Sequence, residues 1–287
     1  MEDELYKEVY RILSQNGNNN VPKRGTYTDQ NIVLVYLWSV LHDRPVYWAC
    51  KKNNWPIYYR RLALPNPSTM TRRLRTTSIQ NLLLKIEQSL IKRLPRRICR
   101  WIDAKPLPVG GNSKDRQSAF GRGAACIARG YKLYAVADAN QGFVCWTVRA
   151  MNQNEAKVAP DIIKHIEAGG YLIGDNAYDK NNLYQVAAQS SIQLVAAQKK
   201  YRGIGHRRHS PYRLRARELL GRPFGQNLLI NRLGIERMFG NLTTFAGCGL
   251  GMLPHWVRTL FRVRLWVRAK MILFHIWRAY KREQKIA

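Results

Sequence analysis

Three acidic residues stand in contexts suited to holding metal ions. They are Asp103 in Arg100-Trp-Ile-Asp103-Ala-Lys105, Asp175 in Tyr171-Leu-Ile-Gly-Asp175-Asn-Ala-Tyr-Asp179, and Glu236 in Arg232-Leu-Gly-Ile-Glu236-Arg-Met-Phe-Gly240. A carboxylate at the end of a buried strand carries a desolvation cost unless a cation meets it, and a divalent metal is the natural cation. Carboxylates that converge from separate elements can hold two ions about 4 Å apart, one activating a water or a 3′-hydroxyl and the other stabilising the leaving oxygen. Mg²⁺ suits that task because it takes hard oxygen ligands and keeps positions open for water and phosphate, and Mn²⁺ is expected to substitute. These acids are too far apart in sequence to meet locally, so the fold must bring them together.

The rest of the chain has the opposite charge. Of its 287 residues, 48 are Lys or Arg and 18 are Asp or Glu, a formal net charge of +30. Such a balance implies a polyanionic partner, nucleic acid first and an anionic membrane surface second. No stretch of roughly 20 uncharged apolar residues exists, so no membrane span is expected. The start, Met-Glu-Asp-Glu-Leu-Tyr-Lys, is acidic and polar, which is not the pattern of a signal peptide. The five cysteines, at 50, 99, 126, 145 and 248, form no Cys-x-x-Cys pair. Their odd count argues against a zinc ribbon or a disulfide framework and for reduced thiols in a cytosolic protein. The six histidines show no metal-ligand spacing.

The elements that must position the acids can be read from periodicity. Thr28 is expected to cap a helix over Asp29-Gln-Asn-Ile-Val-Leu-Val-Tyr-Leu-Trp-Ser-Val-Leu-His42. A short helix begins at Pro45. A third, capped by Ser68 or Thr69, carries Arg72, Arg73 and Arg75 in its first turns. That outline is helix-turn-helix-like, with a solvated basic face as the alternative, and it makes these three arginines candidate DNA contacts. Residues 78–97 read as another amphipathic helix. An all-α, DNA-binding domain is therefore expected over residues 1–95.

After that the pattern changes. Residues 98–104, 128–137, 143–148, 171–174 and 192–197 read as strands, 154–168 and 181–190 as helices, and 106–123 as loop. Hairpin strands followed by crossovers predict an α/β domain over residues 96–287, a mixed sheet with helices on its faces. Asp103 then lies mid-sheet, Asp175 ends a neighbouring strand, and Glu236 projects from a helix within 227–245. A basic, glycine- and proline-marked insertion spans about 198–226. It contains His206, Arg207, Arg208 and His209, and Arg207 and Arg208 are candidate DNA contacts. A long helix over 254–280 closes the chain, and its aromatic residues are expected in the core.

Each acid also has a structural alternative. Asp103 could pair with Lys105, Asp175 could open a turn, and Glu236 could pair with Arg232 one helical turn earlier. Asp179 rivals Asp175 but is expected to cap the helix that follows it. Asp115 and Asp138 lie in loop contexts. Lys132, on the second strand, is a candidate for a DNA phosphate.

These residues carry a resemblance. The stretches Ile102-Asp103-Ala-Lys-Pro-Leu-Pro-Val, Gly130-Tyr-Lys-Leu-Tyr, Gly174-Asp175-Asn-Ala-Tyr178-Asp179 and Arg232-x-x-x-Glu236-Arg237-x-Phe occur in the order and contexts of the DDE transposases of bacterial insertion sequences. The chain resembles that family over roughly residues 98–280. The resemblance implies a ribonuclease H-like catalytic core with Asp103, Asp175 and Glu236 as ligands of two Mg²⁺ ions. It implies that Arg232 contacts the DNA end beside the active site; Arg237, next to Glu236, is a further candidate DNA contact. Leu229 and Thr243 stand where the family pattern around this glutamate has tyrosine and lysine.

The expected activity is cleavage of double-stranded DNA at terminal inverted repeats, followed by strand transfer into target DNA. The expected assembly is a homodimer in a synaptic complex, in the bacterial cytoplasm at the nucleoid. No phosphate-binding Gly-x-x-x-x-Gly-Lys-Ser/Thr motif is present, which fits a transesterification. The alternatives are a DNA-binding, inactive relative and a metal-dependent nuclease that does not join strands.

Overall fold

A computed structural model describes residues 2–16, 26–60, 63–94, 98–110, 113–138, 142–198 and 209–286. Contacts divide the chain into two units: residues 1–93, 242–257 and 262–287 form one, and residues 94–241 and 258–261 the other.

The first unit is helical: α1 (Glu2–Asn16), α2 (Asp29–Leu41), α3 (Val46–Ala49), α4 (Pro67–Arg73) and α5 (Thr77–Lys92). The Thr28 hydroxyl caps α2 as expected, accepting from Asn31 N at 3.1 Å. Helix α2 is apolar all round and is buried along its length, from Ile32 through Leu41. A helix with no polar face has to lie inside its unit. The cap of α4 is Asn66, whose Oδ1 accepts from Thr69 N at 2.8 Å, and not Ser68 or Thr69. Residues 50–66 separate α3 from α4, so this pair does not form the tight turn expected of a helix-turn-helix. The short connection, residues 74–76, lies between α4 and α5.

The second unit is built on one six-stranded mixed sheet. Its strands are β1 (Cys99–Pro108), β2 (Ala119–Arg122), β3 (Ile127–Asp138), β4 (Phe143–Ala150), β5 (Tyr171–Gly174) and β6 (Gln193–Ala196). Strand β3 is antiparallel to β1 on one side and to β2 and β4 on the other, while β1, β5 and β6 run parallel. This is the ribonuclease H-like mixed sheet that the sequence implies, with the short β2 arising where a loop was expected. The parallel strands are joined by α6 (Glu155–Ile163) and α7 (Asn181–Gln189), the crossovers that parallel pairing requires. These helices pack on one face through Ile102, Tyr134, Val136, Val158, Ile162, Leu172, Leu183 and Leu194. On strand β1, Ile102 and Ala104 belong to that face, so alternation turns Trp101, Asp103 and Lys105 to the other.

Three helices follow: α8 (Pro211–Leu220), α9 (Pro223–Ile230) and α10 (Leu233–Thr244). The basic insertion is thus helical over residues 211–220. Residues 199–208, with His206, Arg207 and Arg208, lie outside the described residues.

The last helix, α11 (Leu260–Ile286), groups from Arg262 onward with the first unit, not with the catalytic domain as the sequence suggested. Polar contacts within that unit explain the grouping. Lys270 is fully buried and donates to Val40 O at 3.0 Å, Asp43 Oδ1 at 2.6 Å and Cys248 O. Arg268 Nε donates to Glu87 Oε2 at 3.0 Å. Trp266 and Phe274 are core residues, as expected, whereas Phe261 is exposed. All five cysteines are free thiols. Among the described residues no helix is long and apolar enough to cross a membrane.

Candidate active site

The two aspartates are placed by strand register. Trp101 on β1 pairs with Ile173 on β5, and Asp103 and Asp175 each lie two residues further along. Parallel strands about 4.8 Å apart therefore deliver both carboxylates to one rim of the sheet. Gly174 ends β5 with Tyr178 folded back over it; a Cβ there would lie 2.8 Å from the Tyr178 ring. That close approach lets the chain turn sharply into Asp175, whose Oδ1 accepts from Ala177 N at 2.9 Å. Asp103 Oδ1 accepts from Ala104 N at 2.8 Å.

Burial pushes the Asp103 carboxyl up to about 6, and the charges of Asp175 and Glu155 push in the same direction. The Ala104 amide and the Arg232 guanidinium oppose the rise. A carboxyl raised by burial and by a neighbouring carboxylate marks a site short of positive charge.

Helix α10 covers the face that bears Asp103. Gly234 admits the Trp101 indole so closely that a Cβ would fall 2.4 Å from the ring, and Phe239 stacks on Phe143 with ring centroids 5.7 Å apart. These contacts seat Glu236 on the helix, half-exposed, with its Oε1 3.1 Å from Arg232 Nη2. Glu236 is thus held by Arg232, which immediately precedes its helix, in this structure. Among the described residues no three Asp, Glu, His or Cys side chains form a group ready to hold a metal. Asp103 and Asp175 supply hard carboxylate oxygens at one rim, donors that suit a divalent cation, while Glu236 is paired with Arg232.

Asp179 does not cap the following helix as expected. It is buried and receives Arg213 at both oxygens, 2.7 Å from Nε and 2.6 Å from Nη2, and the Tyr184 hydroxyl at 3.2 Å. A carboxylate so committed cannot serve a metal, which leaves Asp175 as the acid of this turn. Asp115 is equally occupied, accepting from the Tyr131 hydroxyl at 2.7 Å and from Thr259 N at 2.8 Å. Asp138 is buried and accepts from Gly142 N.

Two of the expected DNA contacts are turned inward. Lys132 is buried on the α6 side of the sheet, its Nζ 3.2 Å from Glu155 Oε1, because alternation places it opposite the Asp103 face. Arg73 donates to Asp29 Oδ1 at 2.5 Å and to Tyr27 O at 3.1 Å. Arg72, Arg75 and Arg237 are exposed.

Glu155 is the acid that sequence reasoning missed. It opens α6 behind the Asn154 cap, tied to Lys132, and its charge reaches Asp103. The signal available was a glutamate in the first turn of a helix that follows the hairpin strands.

The site thus presents Asp103 and Asp175 at one rim of a mixed sheet, with a glutamate-bearing helix against the same face. Residues 95–253, more than half the chain, match the family described as Transposase DDE domain, and the chain belongs to that family. A solved structure titled "Cryo-EM structure of piggyBac transposase synaptic complex with hairpin DNA (SNHP)" is similar to it at 10% identity and a TM-score of 0.47, covering 97% of this chain and 72% of the other. The chain matches no curated protein.

Proposed function

We propose that this protein is a DNA transposase that cleaves double-stranded DNA at the terminal inverted repeats of an insertion sequence and joins the 3′-hydroxyls to target DNA. The observation that carries the reading is the delivery of Asp103 and Asp175 to one rim by the β1–β5 register, in a chain of the DDE family. Asp103 and Asp175 would hold a divalent ion, Mg²⁺ or Mn²⁺, and Glu236 would complete the set with room for a second. Such ions, when bound, activate the attacking oxygen and stabilise the leaving one.

The protein's own residues set the rest. Helix α10 positions Glu236 through Gly234 and Phe239. Arg232 and Arg237 lie on or beside that helix, where a DNA phosphate at the rim would meet them. The net charge of +30 supplies the sequence-independent grip, which should weaken steeply with salt through counterion release. End recognition is assigned to the helical unit, through Arg72 and Arg75. Two ends need synapsis, so the working form is a homodimer, in the bacterial cytoplasm at the nucleoid.

The test is strand transfer with Mg²⁺ on end-containing DNA. Joined product with the wild-type protein and none with Asp175→Ala supports the reading; full activity of Asp175→Ala sinks it. A second reading, DNA binding without catalysis, draws on the pairing of Glu236 with Arg232. Mn²⁺ titration separates them, since an inactive relative would bind no ion at the rim.

A further inference from the structure

The β2–β3 hairpin displays an apolar and basic face that the catalytic rim does not use. Phe120 is 67% exposed and Ile127 is 77% exposed. Register puts Phe120 opposite Arg129 and Arg122 opposite Ile127, so these four side chains share one face. The other face is made of small residues pressed against the protein. A Cβ on Gly121 would fall 2.5 Å from Met151 O, and one on Gly130 would fall 2.3 Å from Leu107 O.

Arg129 fixes the hairpin base, donating to Ser118 Oγ at 2.8 Å, Ser113 O at 3.0 Å and Asp115 O at 2.6 Å, with its guanidinium 5.9 Å from the Phe120 ring centroid. The exposed apolar pair therefore stands on a braced support and is not a loose tip. Presenting rigid aromatic area in this way lowers the entropic cost of binding.

Charge selects the occupant. The stretch 109–131 carries Lys114, Arg116, Arg122 and Arg129 against a single acid, Asp115, which is buried. Position selects it further. Asp103 pairs with Ala135 on β3, and Phe120 pairs with Arg129, six residues along the same strand. Strand alternation keeps Phe120, Arg122 and Ile127 on the Asp103 side of the sheet. At roughly 3.3 Å per residue Phe120 lies about 20 Å from Asp103 along the sheet, and Arg122 and Ile127 about 26 Å, about six to eight base steps of a duplex resting on that face.

Resting on the reading that the chain handles DNA, we propose that the β2–β3 hairpin is a nucleic-acid wedge. Phe120 and Ile127 insert against bases exposed where the duplex is gapped or distorted, and Arg122 meets the adjoining phosphate. Apolar wedges and aromatic platforms act on DNA in this way.

The test compares full-length wild-type protein with Phe120→Ala/Ile127→Ala on a duplex with a short central gap and on the same duplex intact, without divalent ions. A 2-aminopurine at the gap edge reports stacking. The double variant should lose about tenfold in affinity for the gapped duplex, together with the fluorescence change, and keep its affinity for the intact one within about twofold. Both side chains are exposed, so thermal unfolding should be unchanged. Equal binding of the gapped duplex by both proteins overturns the wedge, as does a drop from dimer to monomer in the variant with DNA binding intact, which would give the face to a second copy of the chain. Failure of the wild type to bind any duplex overturns both the wedge and the DNA reading; failure only of Asp175-dependent strand transfer overturns the transposase reading and leaves the wedge standing.

Discussion

Arg232 Nη2 lies 3.1 Å from Glu236 Oε1, and the same guanidinium draws down the Asp103 carboxyl that burial and Asp175 push up. One cation thus serves two of the three candidate metal ligands. A half-exposed i,i+4 pair contributes about 0–1 kcal/mol to stability. Arg232→Ala should therefore leave the melting temperature within about 2 °C, while strand cleavage falls by about 10²-fold, on the order of the cost of removing one preorganised donor from a site of developing negative charge, as at an oxyanion hole. Paired thermal melts and cleavage rates check this. A large loss of stability with normal cleavage would make Arg232 purely structural.

Asp103 should carry a pH signature in metal-free protein. Its folded value of about 6 lies above the unfolded value of 3.8, so between those limits the folded state holds the extra proton. The cost of charging Asp103 is absent below about pH 4, grows as pH rises through the window, and is complete above about pH 6, where it amounts to about 3 kcal/mol. Asp103→Asn removes it. The variant should melt about 5 °C higher than wild type at pH 7.5 in EDTA and show no gain near pH 4, as followed by circular dichroism.

Gly234→Ala tests how α10 is seated. The added methyl meets the Trp101 indole at 2.4 Å, and a buried ring of that size cannot move aside cheaply. Overpacking of this kind costs about 1–3 kcal/mol. Because Glu236 lies two residues further along, cleavage should fall by more than the loss of folded protein explains. Urea unfolding and cleavage by the folded fraction give the two numbers.

Asp179 and Asp175 stand in one turn and should respond oppositely. Asp179→Ala leaves Arg213 without its two-point partner in a largely buried setting, and breaking such pairs costs about 3–5 kcal/mol. Asp175→Ala removes a repelling neighbour of Asp103 and should leave stability unchanged or slightly higher while abolishing strand transfer. Melting curves of the two variants side by side decide it.

Much of this was legible from residue types and periodicity. The β1, β3, β4, β5 and β6 segments and the crossover helices followed from alternation and turn signals, because apolar periodicity reports which face a segment buries. Asp103, Asp175 and Glu236 stood out because acids are scarce in a chain of charge +30. Other features were not legible. Nothing local revealed that Asp179 would spend itself on Arg213, or that α11 would bring Lys270 to Val40 and Asp43. Those partners are distant in sequence, and only folding makes them neighbours.

The sequence by itself determined the mixed sheet, the acids and the basic surface, since these depend on composition and on periods of two and 3.6 residues. The tertiary structure decided which acids are available. Register set Asp103 beside Asp175, alternation turned Lys132 toward Glu155, and one helical turn bound Glu236 to Arg232. Availability of a charge depends on the groups packed around it, and that packing is a property of the fold, not of the residue.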